Sequence, residues 1–412
     1  MELSFSHDWP DRVPILEAFT AALDAVDPEW AVRAAWQEDP FDEPATVIAI
    51  GKAAPAMARG VSGTASGIVV SDHVEPVPDG FVSYTGGHPI PDGSSWAAAR
   101  AVVSLVESTD GPVLFLISGG SSALCELPAP GLAIEDLAAV TGALLKSGAD
   151  VAAINTVRKH LSFIKGGRLA ELCGGRPARS LLMSDVVGNS VETIGSGPTV
   201  PDPTTFADAE RVLEDYGVPT PNVISAFLAA GRRGELPETP KGPFSAHPVA
   251  VVADGAVAAR AAVQACEQLG IAARIAGREL GGDAETAAAD AVAGPIEEGM
   301  TFHAGETTVT VTGGGVGGRN QHAALSAALV LDGGDDRVVF GALATDGVDG
   351  PTDSAGAVVD AGTVSRGRAA GLDTVACFED HASHPFLEAS GDLLRIGPSG
   401  TNVGDLWVVW RR

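Results

Sequence analysis

Two small-residue segments, each directly after a run of aliphatic residues, are the first places in this chain where chemistry could be done. Residues 46–50 run into Gly51-Lys52-Ala53-Ala54-Pro55. This sets Lys52 at the carboxyl end of a predicted strand and the start of a helix, the edge at which open α/β sheets bind ligands. The segment is not a P-loop, because Thr46 stands where that motif needs its first Gly and Ala53 where it needs Ser or Thr. Residues 112–117 run into Ser118-Gly119-Gly120-Ser121-Ser122-Ala123-Leu124. Side chains this small let backbone amides approach a bound anion, so Ser118, Gly119, Gly120, Ser121 and Ser122 form a candidate phosphate cradle. Gly119, Ser121 and Ala123 also come close to the nucleophile elbow G-x-S-x-G, with Ala123 in place of the last Gly.

Further along, residues 155–168 carry Arg158, Lys159, Lys165 and Arg168. A helix through them would set Arg158, Ser162, Lys165 and Arg168 near one face, a cationic stripe suited to an anionic ligand, whereas most charge runs are only solvated faces. Asp185 follows another predicted strand, 180–183, where it could hold Mg²⁺, take a proton or merely cap a helix. In the C-terminal half, a predicted strand at 307–312 enters Gly313-Gly314-Gly315-Val316-Gly317-Gly318-Arg319-Asn320. Gly313, Gly315 and Gly318 satisfy G-x-G-x-x-G, but no acidic residue ends a strand about 20 residues later, as ribose binding would require. A turn aimed at phosphates fits better, with Gly314, Gly317 and Asn320 beside it and Arg319 as a fixed cation. The strand at 338–344 then delivers Asp346, Asp349 and Asp353 in a Gly/Pro loop, hard oxygen ligands suited to Mg²⁺, or else a solvated acidic loop. His88 and His322 receive no role.

The elements that must position these residues read as short β-branched runs alternating with Ala-rich helices, a pattern that predicts a mostly parallel sheet covered by helices. The polar, Pro-rich stretch 231–248 interrupts it, which sets an N-terminal α/β domain over 1–240 and a C-terminal one over 245–412. A helix is predicted over 11–32, from the spacing of Ile15, Phe19, Leu23 and Val26, and it can pack on either domain. Four scattered cysteines with no C-x-x-C pair indicate neither zinc nor a disulfide framework. The net charge of −27 repels nucleic-acid phosphates and anionic membranes. The first residues lack a secretory signal, and no apolar run approaches the ~20 residues of a membrane span, so a cytoplasmic location is expected. Only five lysines stand against 53 acidic residues, a surface suited to a high-salt cytoplasm.

Taken in order over nearly the whole chain, the motifs resemble the glycerate 2-kinase family, whose C-terminal part is called the MOFRL domain. The resemblance is carried by Gly51-Lys52-Ala53, the 118–124 loop, Arg158-Lys159-His160-Leu161 with Lys165-Gly166-Gly167, and Ser184-Asp185-Val186. It continues through Gly318-Arg319-Asn320-Gln321, Ala344-Thr345-Asp346-Gly347 with Asp349-Gly350-Pro351-Thr352-Asp353, and Gly400-Thr401-Asn402-Val403. Ser121, Asn189 and His322 depart from the family pattern, which has Gly, Asp and an acidic residue there. The resemblance implies two Rossmann-like α/β domains with an interdomain cleft, and ATP-dependent phosphorylation of D-glycerate to 2-phosphoglycerate with Mg²⁺. It implies Lys52, Arg319 and Asp185 as catalytic groups and Arg158 or Lys159 at the glycerate carboxylate, and it leaves a homodimer open. A hydroxypyruvate reductase using NAD(P)H, a serine hydrolase using Ser121 and a non-catalytic phosphosugar-binding protein are the competing readings.

The charge pattern gives the first prediction. Screening over a Debye length of ~3 Å at 1 M salt should relieve self-repulsion, so the melting temperature is expected to rise from low salt to molar KCl. A melting temperature independent of KCl would refute the high-salt assignment.

Overall fold

The computed structural model describes residues 3–7, 9–61, 65–244 and 247–412; Met1, Asp8 and Ser245, which the sequence expectations touch, lie outside them. The strands in chain order are β1 (Ser4–Phe5), β2 (Ala45–Ile50), β3 (Ala65–Ser71), β4 (Phe81–Thr85), β5 (Val113–Ile117), β6 (Ala178–Met183), β7 (Val249–Ala253), β8 (Ala273–Ile275), β9 (Gly299–Gly305), β10 (Val338–Ala344), β11 (Gly356–Asp360), β12 (Leu393–Arg395) and β13 (Asp405–Arg411). The chain divides into two compact units, one of Pro28–Met183 with Asn189–Val252, the other of Met1–Asp27, Ser184–Gly188 and Ala253–Arg412. The predicted helix over 11–32 is two helices, Val13–Ala25 and Pro28–Glu38, and the break coincides with the division. Pro28 explains it: its ring disfavours helical backbone at Asp27 while suiting the first turn of a new helix.

In the first unit the six strands lie in the order β4-β3-β2-β5-β6-β7. The pairs β3/β4, β2/β3, β2/β5 and β5/β6 are parallel. β2 and β5 are buried along nearly their whole length, as strands covered on both faces must be. Renumbered from β2, the order is 3-2-1-4-5-6, the doubly wound arrangement whose chain direction reverses between its first and fourth strands. The reversal therefore lies between β2 and β5, whose carboxyl ends carry the Lys52 and Ser118–Ser122 loops. Beside the sheet, the helices Ile134–Lys146, Val151–Leu161, Phe206–Asp215 and Asn222–Arg232 bury Leu137, Val140, Val157, Leu161, Phe206 and Leu228 in one cluster.

The second unit is also α/β, but its sheet departs from the parallel pattern. The order is β1-β12-β11-β10-β13-β9-β8, and of the registered pairs only β8/β9 is parallel. β10 and β11 are joined by an 11-residue loop with no helix in it, too short for a parallel crossover. The predicted strand at 307–312 is extended loop; the strand is β9, which ends at Gly305. Helix Arg319–Leu331 packs its alanines against Phe340, Val359 and Trp407.

The N-terminal segment joins this second unit through a charge cluster as well as through the packing of Val13–Ala25 on Gly255–Gln268. Arg12 is fully buried and donates from Nη1 to Asp392 at 2.8 Å and to the Val358 carbonyl at 2.6 Å, and from Nη2 to Asp360. Removing one partner of a buried, hydrogen-bonded ion pair leaves the other charge uncompensated. Arg12→Ala is accordingly expected to cost about 3–5 kcal/mol, read by urea denaturation; a loss below about 1 kcal/mol, the scale of an exposed pair, would contradict this role.

Candidate active site

The geometry at the β2/β5 reversal is set by close backbone contact. Gly51 has φ of +131°, and a Cβ built on it would lie 2.2 Å from Ser118 Oγ and 2.7 Å from Ser118 O. Only glycine allows that approach. The two loops are then laced together, Lys52 N–H donating to Gly119 O at 3.0 Å and Ala53 N–H to Ser118 Oγ at 3.1 Å. At Gly120, with φ of +83°, a Cβ would touch both Lys52 Cγ and His88 Cδ2 at 3.3 Å. The Lys52 stem and the His88 ring thus meet over the small-residue loop. Ser122 Oγ pairs with Ser196 Oγ at 2.7 Å, and Ser196 donates to Asn155 at 2.7 Å, tying the loop to helix Val151–Leu161. Ser121 Oγ is buried and has no hydrogen-bond partner, so no histidine activates it as a nucleophile.

Around this loop the basic residues divide into paired and unpaired. The expected cationic stripe is interrupted because the helix ends at Leu161 and Gly166 and Gly167 take φ of +59° and +88°. Lys159, expected at the substrate, is instead buried against Asp202 at 3.4 Å. Burial alone would raise the Asp202 carboxyl; Lys159 and the Thr204 hydrogen bonds hold it below the usual range. Lys165 is buried against Glu126 at 2.8 Å, and Arg168 donates to the carbonyls of Lys159 and Ser162. Arg158 differs. Among the described residues neither it nor Lys52 forms an ion pair, and desolvation lowers the Arg158 pKa, opposed by Glu126, which is itself bound to Lys165. His88 lies within electrostatic reach of Lys52 and Arg158. No role was expected for His88, although it follows β4 closely and the strand-end rule that singled out Lys52 and Ser118 applies there too.

The second unit corrects several expectations. Gly314 N–H donates to the Asp380 carboxylate and Gly315 N–H to the Asp380 carbonyl, both at 2.8 Å. The Gly313, Gly315 and Gly317 Cα atoms press on residues 380–383 so closely that Cβ atoms would clash. Those glycines serve packing, and with no strand before them they do not form a Rossmann phosphate turn. Asn320 is fully buried, donating to Asp405 at 2.8 Å and accepting from Trp407 Nε1 at 2.7 Å, so it too has no capacity for a nucleotide. Asp349, expected at a metal, accepts the Asn320 and Gln321 amides at 3.1 and 2.8 Å, capping helix Arg319–Leu331, and Gly318 is the residue that makes room for its carboxylate. Burial pushes its carboxyl up to about 6, against the pull of those amides. Asp353 lies at the surface with Arg395 at 3.4 Å, and Asp346 accepts the Val348 amide at 3.2 Å. Among the described residues no group of three or more His, Cys, Asp or Glu side chains gathers for a metal ion, and of the expected three Asp349 is committed to the helix amides.

Arg319 is a fixed cation, as expected, but its fork is occupied. Nε and Nη2 hold the Asp405 carboxylate at 2.8 and 3.0 Å, and Nη1 reaches Glu306 at 2.9 Å. Burial works to lower its pKa, and Asp405 with Glu306 overcomes that and raises it. Burial likewise raises the Glu306 carboxyl, with Asp185, Asp405 and Asp346 adding to the effect. Asp185 accepts from Asn402 Nδ2 at 3.2 Å.

A doubly wound sheet with unpaired cations at its reversal point defines an α/β protein suited to holding a small anion. Residues 15–229 match a family described as a domain of unknown function (DUF4147), and residues 299–405 match the MOFRL family. A glycerate 2-kinase from Pyrococcus horikoshii is 40% identical over 382 residues, covering 87% of this chain and 86% of that protein. A relative from Agrobacterium vitis with the provisional name hydroxypyruvate reductase is 37% identical over 423 residues, covering 97% and 94%. The crystal structure of a glycerate kinase from Thermotoga maritima matches with a TM-score of 0.89 at 36% identity, covering 98% of this chain and 100% of that one. The chain belongs to the glycerate 2-kinase family.

The Arg319 geometry yields a prediction. Asp405 has no exposed side-chain area and depends on the fork for its counter-charge. Arg319→Ala should therefore cost about 2–4 kcal/mol in chemical denaturation, and Arg319→Lys should recover only part because it lacks the planar fork. Wild-type stability in both variants would show that the pair does not organise this unit.

Proposed function

We propose that the chain transfers the γ-phosphoryl group of ATP to the 2-hydroxyl of D-glycerate, giving 2-phosphoglycerate and ADP. The observation that carries this is the placement of Lys52 and Arg158, two cations that form no ion pair among the described residues, beside the reversal point of a chain with 27 more acidic than basic residues. An acidic protein that leaves two cations unpaired at one ligand-binding edge is equipped to bind an acid there.

Phosphoryl transfer asks the protein mainly for positioning and for positive charge facing the transferred group. In this reading Arg158 holds the glycerate carboxylate by its fork, Lys52 stabilises charge on the transferring phosphoryl group, and the 118–122 loop shapes the space for it. Arg319, paired with Asp405 and Glu306, and Asp185 remain candidates on their own unit. Mg²⁺ would enter with the nucleotide, and no step here is routed through it. A reductase reading is disfavoured by the missing strand before Gly313, and a hydrolase reading by the unpartnered Ser121. No helix among the described residues is long and apolar enough to cross a membrane, and we place the activity in the cytoplasm with small-molecule substrates and no nucleic-acid partner.

A coupled ADP-release assay across D-glycerate, hydroxypyruvate and related sugar acids tests the reading. ADP release dependent on D-glycerate is expected, with Lys52→Ala retaining the fold and losing kcat by roughly 10²-fold or more, the scale of one charge-stabilising donor. NAD(P)H oxidation with hydroxypyruvate and no ADP release would overturn it.

A further inference from the structure

The loop after β4 brings a titratable group to the same spot as the two unpaired cations. His88 is exposed, yet its Cδ2 comes within 3.3 Å of the place a Gly120 Cβ would take, as the Lys52 stem does from its own side. The charged groups that face the ring are Lys52 from the loop after β2, Arg158 from helix Val151–Leu161 and Asp72 from the end of β3. Asp72 is already held by His73 Nδ1 at 2.6 Å, so it does not pair with His88. The ring therefore stands in a cationic setting, close to where the substrate carboxylate and phosphoryl group are placed above.

We propose that His88 is the general base that takes the proton from the 2-hydroxyl of D-glycerate. As the hydroxyl oxygen forms its bond to the γ-phosphorus, the bond from that phosphorus to the β,γ-bridging oxygen breaks, and its electron pair leaves with ADP. The hydroxyl proton passes to a ring nitrogen of His88 and from there to water. A base must be unprotonated at working pH. Desolvation of the ring, and then Lys52, lower the His88 pKa, with Asp72 opposing and Arg158 assisting, a shift that favours the neutral ring. Protonation on acidification removes the base, and the rate should fall as pH drops below about 6.5.

This inference rests on the proposed kinase activity, and its test separates the two. The pH profile of kcat is measured for wild type, His88→Gln and His88→Ala, with glycerate binding followed by calorimetry and folding by circular dichroism. Wild type should turn over with an acid limb below about pH 6.5. His88→Gln should bind glycerate within a few-fold of wild type while losing kcat by about 10²–10⁴-fold, the range for a positioned base, and its acid limb should vanish. Added imidazole should restore part of the activity of His88→Ala. A folded His88→Gln with wild-type kcat and an unchanged acid limb would overturn the base assignment and leave the kinase reading intact. Absence of glycerate-dependent ADP release in wild type would overturn both.

Discussion

The contact between Gly51 and Ser118 is the constraint on which the candidate site depends. Two parallel strands that diverge at a chain reversal normally leave a crevice between their following loops. Here the missing side chain at Gly51 lets the loops close over one another, and the Lys52 N–H to Gly119 O bond holds the backbone of the lysine against the small-residue loop. Lys52 then emerges beside Gly120, its ammonium group in no ion pair among the described residues. A larger residue at position 51 would push β2 and β5 apart at their carboxyl ends and move Lys52 with them.

Electrostatic pairing separates the structural cations from the functional ones. In a chain so rich in acid, most basic side chains find a carboxylate: Lys159 with Asp202, Lys165 with Glu126, Arg12 with Asp360 and Asp392, Arg319 with Asp405 and Glu306. Each buried pair fixes a junction between elements, because separating it would strand a charge in a poorly solvated place. Among the described residues Lys52 and Arg158 form no ion pair, as the exposed Arg100, Lys146, Arg260 and Arg278 do not either, but these two lie within electrostatic reach of His88 at one end of one sheet. A ligand carboxylate or phosphate would complete there the pairing that the protein supplies to itself elsewhere.

The strands of the parallel sheet were legible because buried strands show as short β-branched runs, and the two loops stood out only by their place at strand ends, since a Gly next to a Lys or Ser is common in ordinary turns. Lys159 could not be told from Arg158 by spacing, since its partner Asp202 lies 43 residues away and only packing brings them together. The glycines at 313–318 matched a phosphate-binding pattern for a different physical reason, their need to lie flat against residues 380–383. Asp349 looked like a metal ligand because a carboxylate that caps a helix from another loop leaves no signature in local sequence. His88 was passed over because β4 is short and partly exposed, with none of the apolar run that marks its neighbours.

The central claim is that the cations left unpaired at the reversal point bind the substrate's carboxylate. Calorimetric titration of D-glycerate into wild type and into Arg158→Gln addresses it most directly, since that substitution removes the charge and the fork while keeping most of the side-chain volume. The account predicts measurable binding to wild type and a loss of about 10–100-fold in the variant, the range for one hydrogen-bonded ionic contact. Equal affinity for D-glycerate in the two proteins would contradict it.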